Sequence, residues 1–329
     1  MDILVAGGAG FIGSHLCDAL LAGGHAVWAV DNFATGRREN VAHLAGHLRF
    51  ELVEADVTAP LPPGLPRADR IYHLASPASP NAASPRSYMR LPLETAAVNT
   101  VGTRLLLERA RRDGARILFA STSEIYGDPL VHPQPETYRS NCSTTGPRAI
   151  YDEAKRFGET LLAAYRREYG VDGRIVRIFN TYGERMDPED GRVIVNFIGQ
   201  ALRGAPLTVY GDGRQTRSFC HVSDLVRGLM ATMEGAGLAG EVINLGNPDE
   251  RTIADFARTV QAACGVDRPV EFRPLPTDDP TRRCPDIAKA RRLLGWEPLI
   301  GLDEGLERTV TSFKAARLTH PTPALASVA

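Results

Sequence analysis

An α/β fold, with a doubly wound parallel sheet and a smaller interleaved C-terminal α/β lobe, is what this sequence predicts, and three observations predict it. Through the first half, short β-rich apolar runs alternate with helical stretches, the rhythm of a parallel sheet covered on both faces. The first run, "DILVA", passes through "GGAGFIG" directly into a helical stretch, so glycines stand between strand and helix. An aspartate, Asp31, closes the second run.

Strands are expected at Ile3–Ala6, Ala26–Val30, Phe50–Val53, Ile71–Leu74, Ile117–Ala120 and Ile175–Phe179. Helices are expected over Phe11–Ala22, Leu93–Arg112 and Tyr151–Tyr169, each with apolar residues at three- and four-residue spacing. After residue 180 the rhythm loosens. Helices 193–203, 222–234 and 252–264 alternate with strands 207–210 and 241–245, and helices 286–294 and 303–317 close the fold. This divides the chain into a dinucleotide-binding domain, 1–180 plus roughly 213–246, and a second lobe, 181–212 and 247–317. The tail 318–329, "THPTPALASVA" and the leucine before it, is expected to be disordered.

Composition narrows the function classes. In 329 residues the formal net charge is −1, and no basic run suggests nucleic acid or an anionic membrane. No apolar run approaches the ~20 residues that span a bilayer. Cys17, Cys142, Cys220, Cys264 and Cys284 show neither CxxC pairing nor metal-ligand spacing, so no metal is expected. Isolated thiols, and a first strand that starts at residue 2, fit a cytoplasmic protein.

Gly7, Gly10 and Gly13 lie where glycine lets the backbone approach a pyrophosphate at a helix N-terminus. Asp31 follows about 20 residues later, as the Rossmann-type dinucleotide fingerprint requires, and its carboxylate favours the ribose hydroxyls of NAD over the 2′-phosphate of NADP. Arg37 and Arg38 either form a solvated turn or hold such a phosphate; NAD is the expectation. Asp56 after the third strand either meets the adenine or caps a turn.

Tyr151 and Lys155 are four residues apart, hence on one helix face. A phenol titrates near ~10, and a neighbouring ammonium favours the phenolate, bringing a base into the working range. Lysine occurs only as Lys155, Lys289 and Lys314, so the spacing is informative. The preceding strand ends in "STSE", which places Thr122, Ser123 and Glu124 nearby.

With Thr122 or Ser123, this pair resembles the Ser/Thr–Tyr–Lys set of the short-chain dehydrogenase/reductase family, and the length and split lobe resemble its extended, nucleotide-sugar branch. Within that branch "GGAGFIGSHL", "VDNFATGRREN", "LASPASP", "STSEIYGDPLVHPQPETY", "YDEAKR", "RIFNTYGERM", "DGRVIVNF", "LTVYGDGRQTRSF" and "LLGWEP" resemble the UDP-glucuronate decarboxylase (UDP-xylose synthase) family. The resemblance implies NAD bound throughout turnover and a UDP-sugar acid as substrate. It extends the cofactor set to Phe11, Ile12, Asn32, Phe33, Thr35, Gly36, Val57, Leu74, Ser76, Asn99 and Ala120. It implies Tyr151 as base, Lys155 tuning it and holding the nicotinamide ribose, and Thr122 hydrogen-bonding the reacting hydroxyl.

A C4 ketone places the C6 carboxylate in a β-keto acid, which loses carbon dioxide. A 4,6-dehydratase starts from the same ketone but carries Asp-Glu at this strand end to protonate a leaving hydroxide. Ser123-Glu124 suits decarboxylation, with both residues orienting the carboxylate end and relaying a proton to the enolate. Arg185 and Arg283 are cations for the carboxylate, enolate or diphosphate, or else ordinary ion pairs. Asn180, Asn196, Tyr210, Gln215 and Arg217 lie in segments that wrap the nucleotide in this family, although Tyr210 equally suits a core.

The likeness frays at the substrate mouth. Glu94 and Ala97 stand where the family carries lysines, Glu184 where it carries proline and Cys284 where it carries a basic residue, while Arg86 or Arg90 lies near enough in sequence to compensate. A looser site would release some 4-keto-pentose beside UDP-xylose. A 4-epimerase or 4,6-dehydratase, and a non-catalytic NAD(H) sensor, are the alternative readings. The long helices 93–112 and 151–169 resemble those of a four-helix homodimer interface, although Leu161, Leu162 and Tyr165 could instead pack within the subunit.

Overall fold

The computed structural model describes residues 1–275 and 280–319. The first half alternates as expected: β1 (Asp2–Ala6), α1 (Phe11–Ala22), β2 (Ala26–Asp31), β3 (Phe50–Glu54), β4 (Arg70–His73), α2 (Pro92–Ala97), α3 (Thr103–Asp113), β5 (Arg116–Thr122), α4 (Ala149–Tyr169) and β6 (Gly173–Ile178). The expected helix 93–112 is interrupted, because Val98–Gly102 form a π-helical turn between α2 and α3. That bulge carries buried Asn99 toward Ser76, which a regular turn would not do as simply.

The second half contains β7 (Thr181–Tyr182), α5 (Val193–Arg203), β8 (Leu207–Tyr210), β9 (Thr216–Ser218), β10 (Cys220–His221), α6 (Val222–Glu234), β11 (Val242–Leu245), β12 (Glu250–Thr252), α7 (Ile253–Cys264), β13 (Val270–Arg273), β14 (Arg282–Arg283), α8 (Ala288–Leu294) and α9 (Leu302–Thr319). Sequence periodicity missed β7, β9, β10, β12, β13 and β14. Five of them are two or three residues long, too short to show a period of two. The tail expected to be disordered falls, apart from the end of α9, outside the described residues.

Seven parallel strands form the main sheet in the order β11-β6-β5-β4-β1-β2-β3. The order reverses between β1 and β4, where Ala6 pairs with His73 on one side and Val30 on the other. Loops leave opposite faces at such a point and open a crevice at the carboxyl ends of the strands. One face is covered by α1, α6 and α8 through Leu16, Leu20, Leu225, Leu229 and Ala290, with Trp296 just beyond α8 in the same core. The other is covered by α3 and α4 through Leu106, Leu107 and Leu162 against Ile117 and Phe119. A separate core of Phe197, Ile198, Phe256, Val260, Leu306 and Val310 joins α5, α7 and α9. The second lobe is therefore packed independently while β11 adds to the first sheet.

Candidate active site

The turn after β1 is shaped for close backbone approach. Gly7 has φ +81°, and a Cβ there would lie 2.7 Å from the Ala75 amide nitrogen; one on Gly13 would lie 2.0 Å from the Gly7 carbonyl oxygen. No side chain caps the start of α1, so its first amides face the crevice as pyrophosphate donors. Asp31 is buried and accepts the Ala9 and Phe33 amides at 3.0 and 2.9 Å, which ties the glycine turn to the end of β2. Burial pushes its carboxyl up and those two hydrogen bonds pull it back. Each oxygen retains a lone pair for a ribose hydroxyl.

Arg37 pairs with Glu39 and Asp187, and Arg38 pairs with Glu54 while stacking 3.9 Å over Phe33. Both arginines thus have carboxylate partners. Asp56 accepts Thr58 and Asn32 and so caps its turn, at the edge of the same crevice.

The crevice wall contains Gly10, Phe11, Ile12, Asn32, Thr35 and Gly36 at one end. Val57, Leu74, Ser76 and Ala120 continue it to Tyr151 and Lys155. Two expected cofactor residues stand behind that wall. Phe33 lies beneath Arg38, and Asn99 donates to Ser76 Oγ at 2.9 Å, its own Oδ1 buried with no partner among the described residues. The residues fit a dinucleotide: the glycine cradle, free helix amides and ribose-side carboxylate form one continuous surface.

At the other end Thr122 caps a short turn by accepting the Glu124 amide at 3.2 Å, and its hydroxyl also hydrogen-bonds Tyr151. Tyr151 is buried and stacked 4.7 Å from Tyr88. Burial and the Glu124 charge outweigh Arg192 and the Thr122 bond, so in the free site the phenol's pKa is raised, not lowered into the working range by Lys155 as the spacing predicts. The cation closest in effect is therefore Arg192. Lys155 Nζ instead donates to the Ala120 carbonyl at 2.8 Å and lies 5.8 Å from the Tyr151 ring centroid; burial lowers it to about 7, against the pull of Glu159. Position i+4 placed Lys155 on the right face, but its ammonium faces the strand.

Glu124 sits in a basic pocket. Its carboxylate accepts Tyr88 Oη at 3.1 Å and lies 3.2 Å from Arg148 and 3.7 Å from Arg283. Burial resists ionisation, but Arg148, Arg283 and Arg192 outweigh it and hold the carboxyl below the usual range. Ser123 is buried in the same wall. Arg185 also reaches the wall, with a left-handed φ of 62°, yet its guanidinium is engaged by Asp18 at 2.5 Å, His15 at 2.9 Å and the Asn40 carbonyl at 3.1 Å. It braces α1 against the second lobe.

Of the residues expected to wrap the nucleotide, Asn180 and Arg283 line the crevice. Asn196 bonds the Gly191 carbonyl at 2.7 Å, Gln215 the Tyr210 carbonyl at 2.5 Å, and buried Arg217 the Thr216 carbonyl at 2.9 Å, all outside that wall. Tyr210 is exposed rather than a core aromatic. At the mouth Glu94 and Ala97 line the wall, Arg86 is paired with Asp187 and Arg90 bonds the Ala82 carbonyl.

Sequence reasoning missed Arg192, Arg148 and Tyr88. Arg192 lies within "DGRVIVNF" at the N-cap of α5, where nothing local shows that it points toward Tyr151. It also missed a convergence of His132, Glu250 and Cys284, whose donor atoms come within 4.8 Å of one another. There the Gln134 amide nitrogen faces His132 Nδ1 at 3.4 Å, so Nε2 donates to Glu250 at 3.0 Å, while Cys284 Sγ donates to the Pro248 carbonyl at 3.5 Å.

The sheet order, the glycine cradle and the Thr122–Tyr151–Lys155 set define an extended short-chain dehydrogenase/reductase. The chain belongs to the NAD dependent epimerase/dehydratase family, which matches residues 3–246, and its cofactor is NAD. It is 52% identical to UDP-glucuronic acid decarboxylase 1 of Danio rerio over 94% of this chain and 72% of that one. It is 50% identical to UDP-glucuronic acid decarboxylase 3 of Arabidopsis thaliana over 98% and 91%. A Bacillus cereus UDP-glucuronic acid 4-epimerase crystallised with UDP-glucuronic acid and NAD superposes with TM-score 0.85 at 30% identity, covering 96% of this chain and 100% of that one.

Proposed function

We propose that the protein decarboxylates UDP-glucuronate through a 4-keto intermediate and gives UDP-xylose, with some UDP-4-keto-pentose released. Identity of about 50% to UDP-glucuronic acid decarboxylases over nearly the whole chain carries the reading. The Thr122-Ser123-Glu124 end of β5, facing Tyr151 and Arg283 in one crevice, supplies the chemistry.

Gly7, Gly10, Gly13 and Asp31 hold the dinucleotide, with Tyr151 and Lys155 at its nicotinamide ribose. When bound, NAD supplies a two-electron acceptor for C4 and later the matching donor. Thr122 orients the C4 hydroxyl toward Tyr151, whose oxygen takes the hydroxyl proton. Carbon dioxide then departs, its bonding pair enters an enolate spanning C5, C4 and the ketone oxygen, and Tyr151 O–H stands beside that oxygen as donor. Arg192 is the nearest effective cation to Tyr151, and it opposes the cost of negative charge there. Ser123 leaves room for the substrate carboxylate without adding a second charge beside Glu124. A solvent proton, relayed past Ser123 and Glu124, adds at C5 and restores a ketone, whose reduction returns the Tyr151 proton to O4.

The homodimer reading rests on what the helices leave uncovered. Leu162 is buried and Tyr165 bonds Glu108 at 2.6 Å, so both serve the subunit, whereas Leu93, Val101 and Phe157 remain exposed along the same helices. A chain eluting as a monomer in sizing chromatography would end that reading. Among the described residues no helix is long and apolar enough to cross a membrane, and a cytoplasmic site remains part of the proposal.

The test is incubation with UDP-glucuronate while carbon dioxide is followed and the sugar nucleotide is identified by NMR, with Tyr151→Phe as control. Carbon dioxide and a pentose product are expected from the natural protein and neither from the variant. A hexose product without carbon dioxide would replace this reading with epimerisation.

A further inference from the structure

Behind the crevice wall, one aromatic side chain touches both groups that the mechanism sets at opposite ends of the reacting sugar. Tyr88 is fully buried, and its ring stacks on that of Tyr151 with centroids 4.7 Å apart and planes 4° from parallel. Its hydroxyl donates to Glu124 Oε2 at 3.1 Å and accepts Arg148 Nε at 3.1 Å. Tyr151 and Glu124 line the crevice, and Tyr88 backs each of them.

A core filler would use the ring alone, and phenylalanine would serve as well. Here the donor and an acceptor of the phenol are both engaged. Burial, then the Glu124 charge, push the Tyr88 phenol up, so it keeps its proton and remains the donor to Glu124. A tip bonded to two charged groups fixes the ring, and the ring confines the Tyr151 face stacked on it.

The loop that carries Tyr88 is itself fastened. Its N–H donates to the Ser79 carbonyl at 3.2 Å, and the Ser87 hydroxyl donates to the same carbonyl at 2.8 Å. The Ser79 hydroxyl reaches the Asp190 carbonyl and Arg86 pairs with Asp187, which ties the loop to the segment before α5. From that segment Arg192 donates to the Ala78 carbonyl at 2.7 Å. One loop thus presses Tyr88 onto the base and holds the cation that most opposes the rise in its pKa.

We propose that Tyr88 is a positioning residue that fixes the spacing between the two reacting ends of the site. Its ring sets the Tyr151 oxygen at the C4 hydroxyl, and its hydroxyl sets the Glu124 carboxylate at C5 and C6. Oxidation and the later protonation fall on adjacent carbons, so both groups must address one bound sugar that does not shift between steps. The ring therefore serves the first step and the hydroxyl the second. The inference rests on the sugar-acid reading above and adds the residue that joins its two steps.

Tyr88→Phe keeps the ring and removes the hydroxyl, whereas Tyr88→Leu removes the stack as well. With each purified chain supplied with NAD, a single turnover of UDP-glucuronate is followed in two ways. Reduced-nicotinamide absorbance reports oxidation at C4, and NMR reports the protonated pentose. Titration with UDP-xylose, which keeps the diphosphate and lacks the carboxylate, reports a folded site independently of turnover. Tyr88→Phe should oxidise within about twofold of the natural rate yet form pentose at least ~10-fold more slowly, so that reduced cofactor accumulates. Tyr88→Leu should slow the oxidation itself at least ~10-fold. UDP-xylose affinity should stay level in both. A phenylalanine variant that forms pentose at the natural rate, or that slows both steps alike, overturns the proposal. So does a leucine variant that oxidises at the natural rate, or one that loses UDP-xylose affinity, since the ring would then serve the fold alone. Absence of carbon dioxide and pentose from the natural protein would instead refute the sugar-acid reading on which it rests.

Discussion

Replacing Glu159 with glutamine removes one charge from a buried pair directly beneath the catalytic strand end. Glu159 accepts Arg177 through two bonds, 3.0 and 2.8 Å, and takes the Ser121 hydroxyl at 2.6 Å; the two side chains are 13% and 11% exposed. Burial alone would ease the Arg177 proton off, but Glu159 and Tyr126 reverse this and bind it more firmly than usual. Breaking a buried pair by neutralising one member costs ~3–5 kcal/mol, because a desolvated charge is left behind. Arg177 keeps the Tyr126 hydroxyl and the Glu136 carbonyl, both at 2.9 Å, so the lower end, about 3 kcal/mol, applies. For 329 residues, an unfolding entropy of ~2 cal/mol/K per residue turns this into a fall in Tm of roughly 4 °C. Urea denaturation and calorimetry measure both. The pair is buried, so the loss should persist in 1 M salt. Glu159→Leu with Arg177→Met, which leaves no lone charge, should recover most of it. A loss under about 1 kcal/mol for Glu159→Gln, or one that disappears in salt, would refute the reasoning.

Two further outcomes follow from the site. Gly13→Ala places a Cβ 2.0 Å from the Gly7 carbonyl oxygen, where only backbone can yield; calorimetric titration with NAD should show binding at least ~10-fold weaker than in the natural protein, and equal affinity would contradict the cradle. Arg192→Met removes the cation that opposes the upward push on Tyr151. Activity at pH 7 should fall at least ~10-fold, with the pH–rate profile displaced to higher pH; a profile in its original place would assign the tuning elsewhere.

The local sequence determined what depends on spacing along one element. Glycines between a strand and a helix, Asp31 closing β2, and Tyr151 and Lys155 one turn apart all express fixed geometry of consecutive residues, so each was readable without neighbours. The tertiary structure decided everything set by groups distant in the chain. Arg148, Arg192 and Arg283 come from three segments to surround Glu124, and their combined charge is what keeps it ionised. Arg185 has the residue type for an anion site, yet Asp18 and His15 engage it. Two-residue strands such as β7 and β14 exist only because a partner strand is there to bond them. Electrostatic energy and hydrogen bonding depend on distance in space, and the order of residues does not encode that distance until the chain has folded.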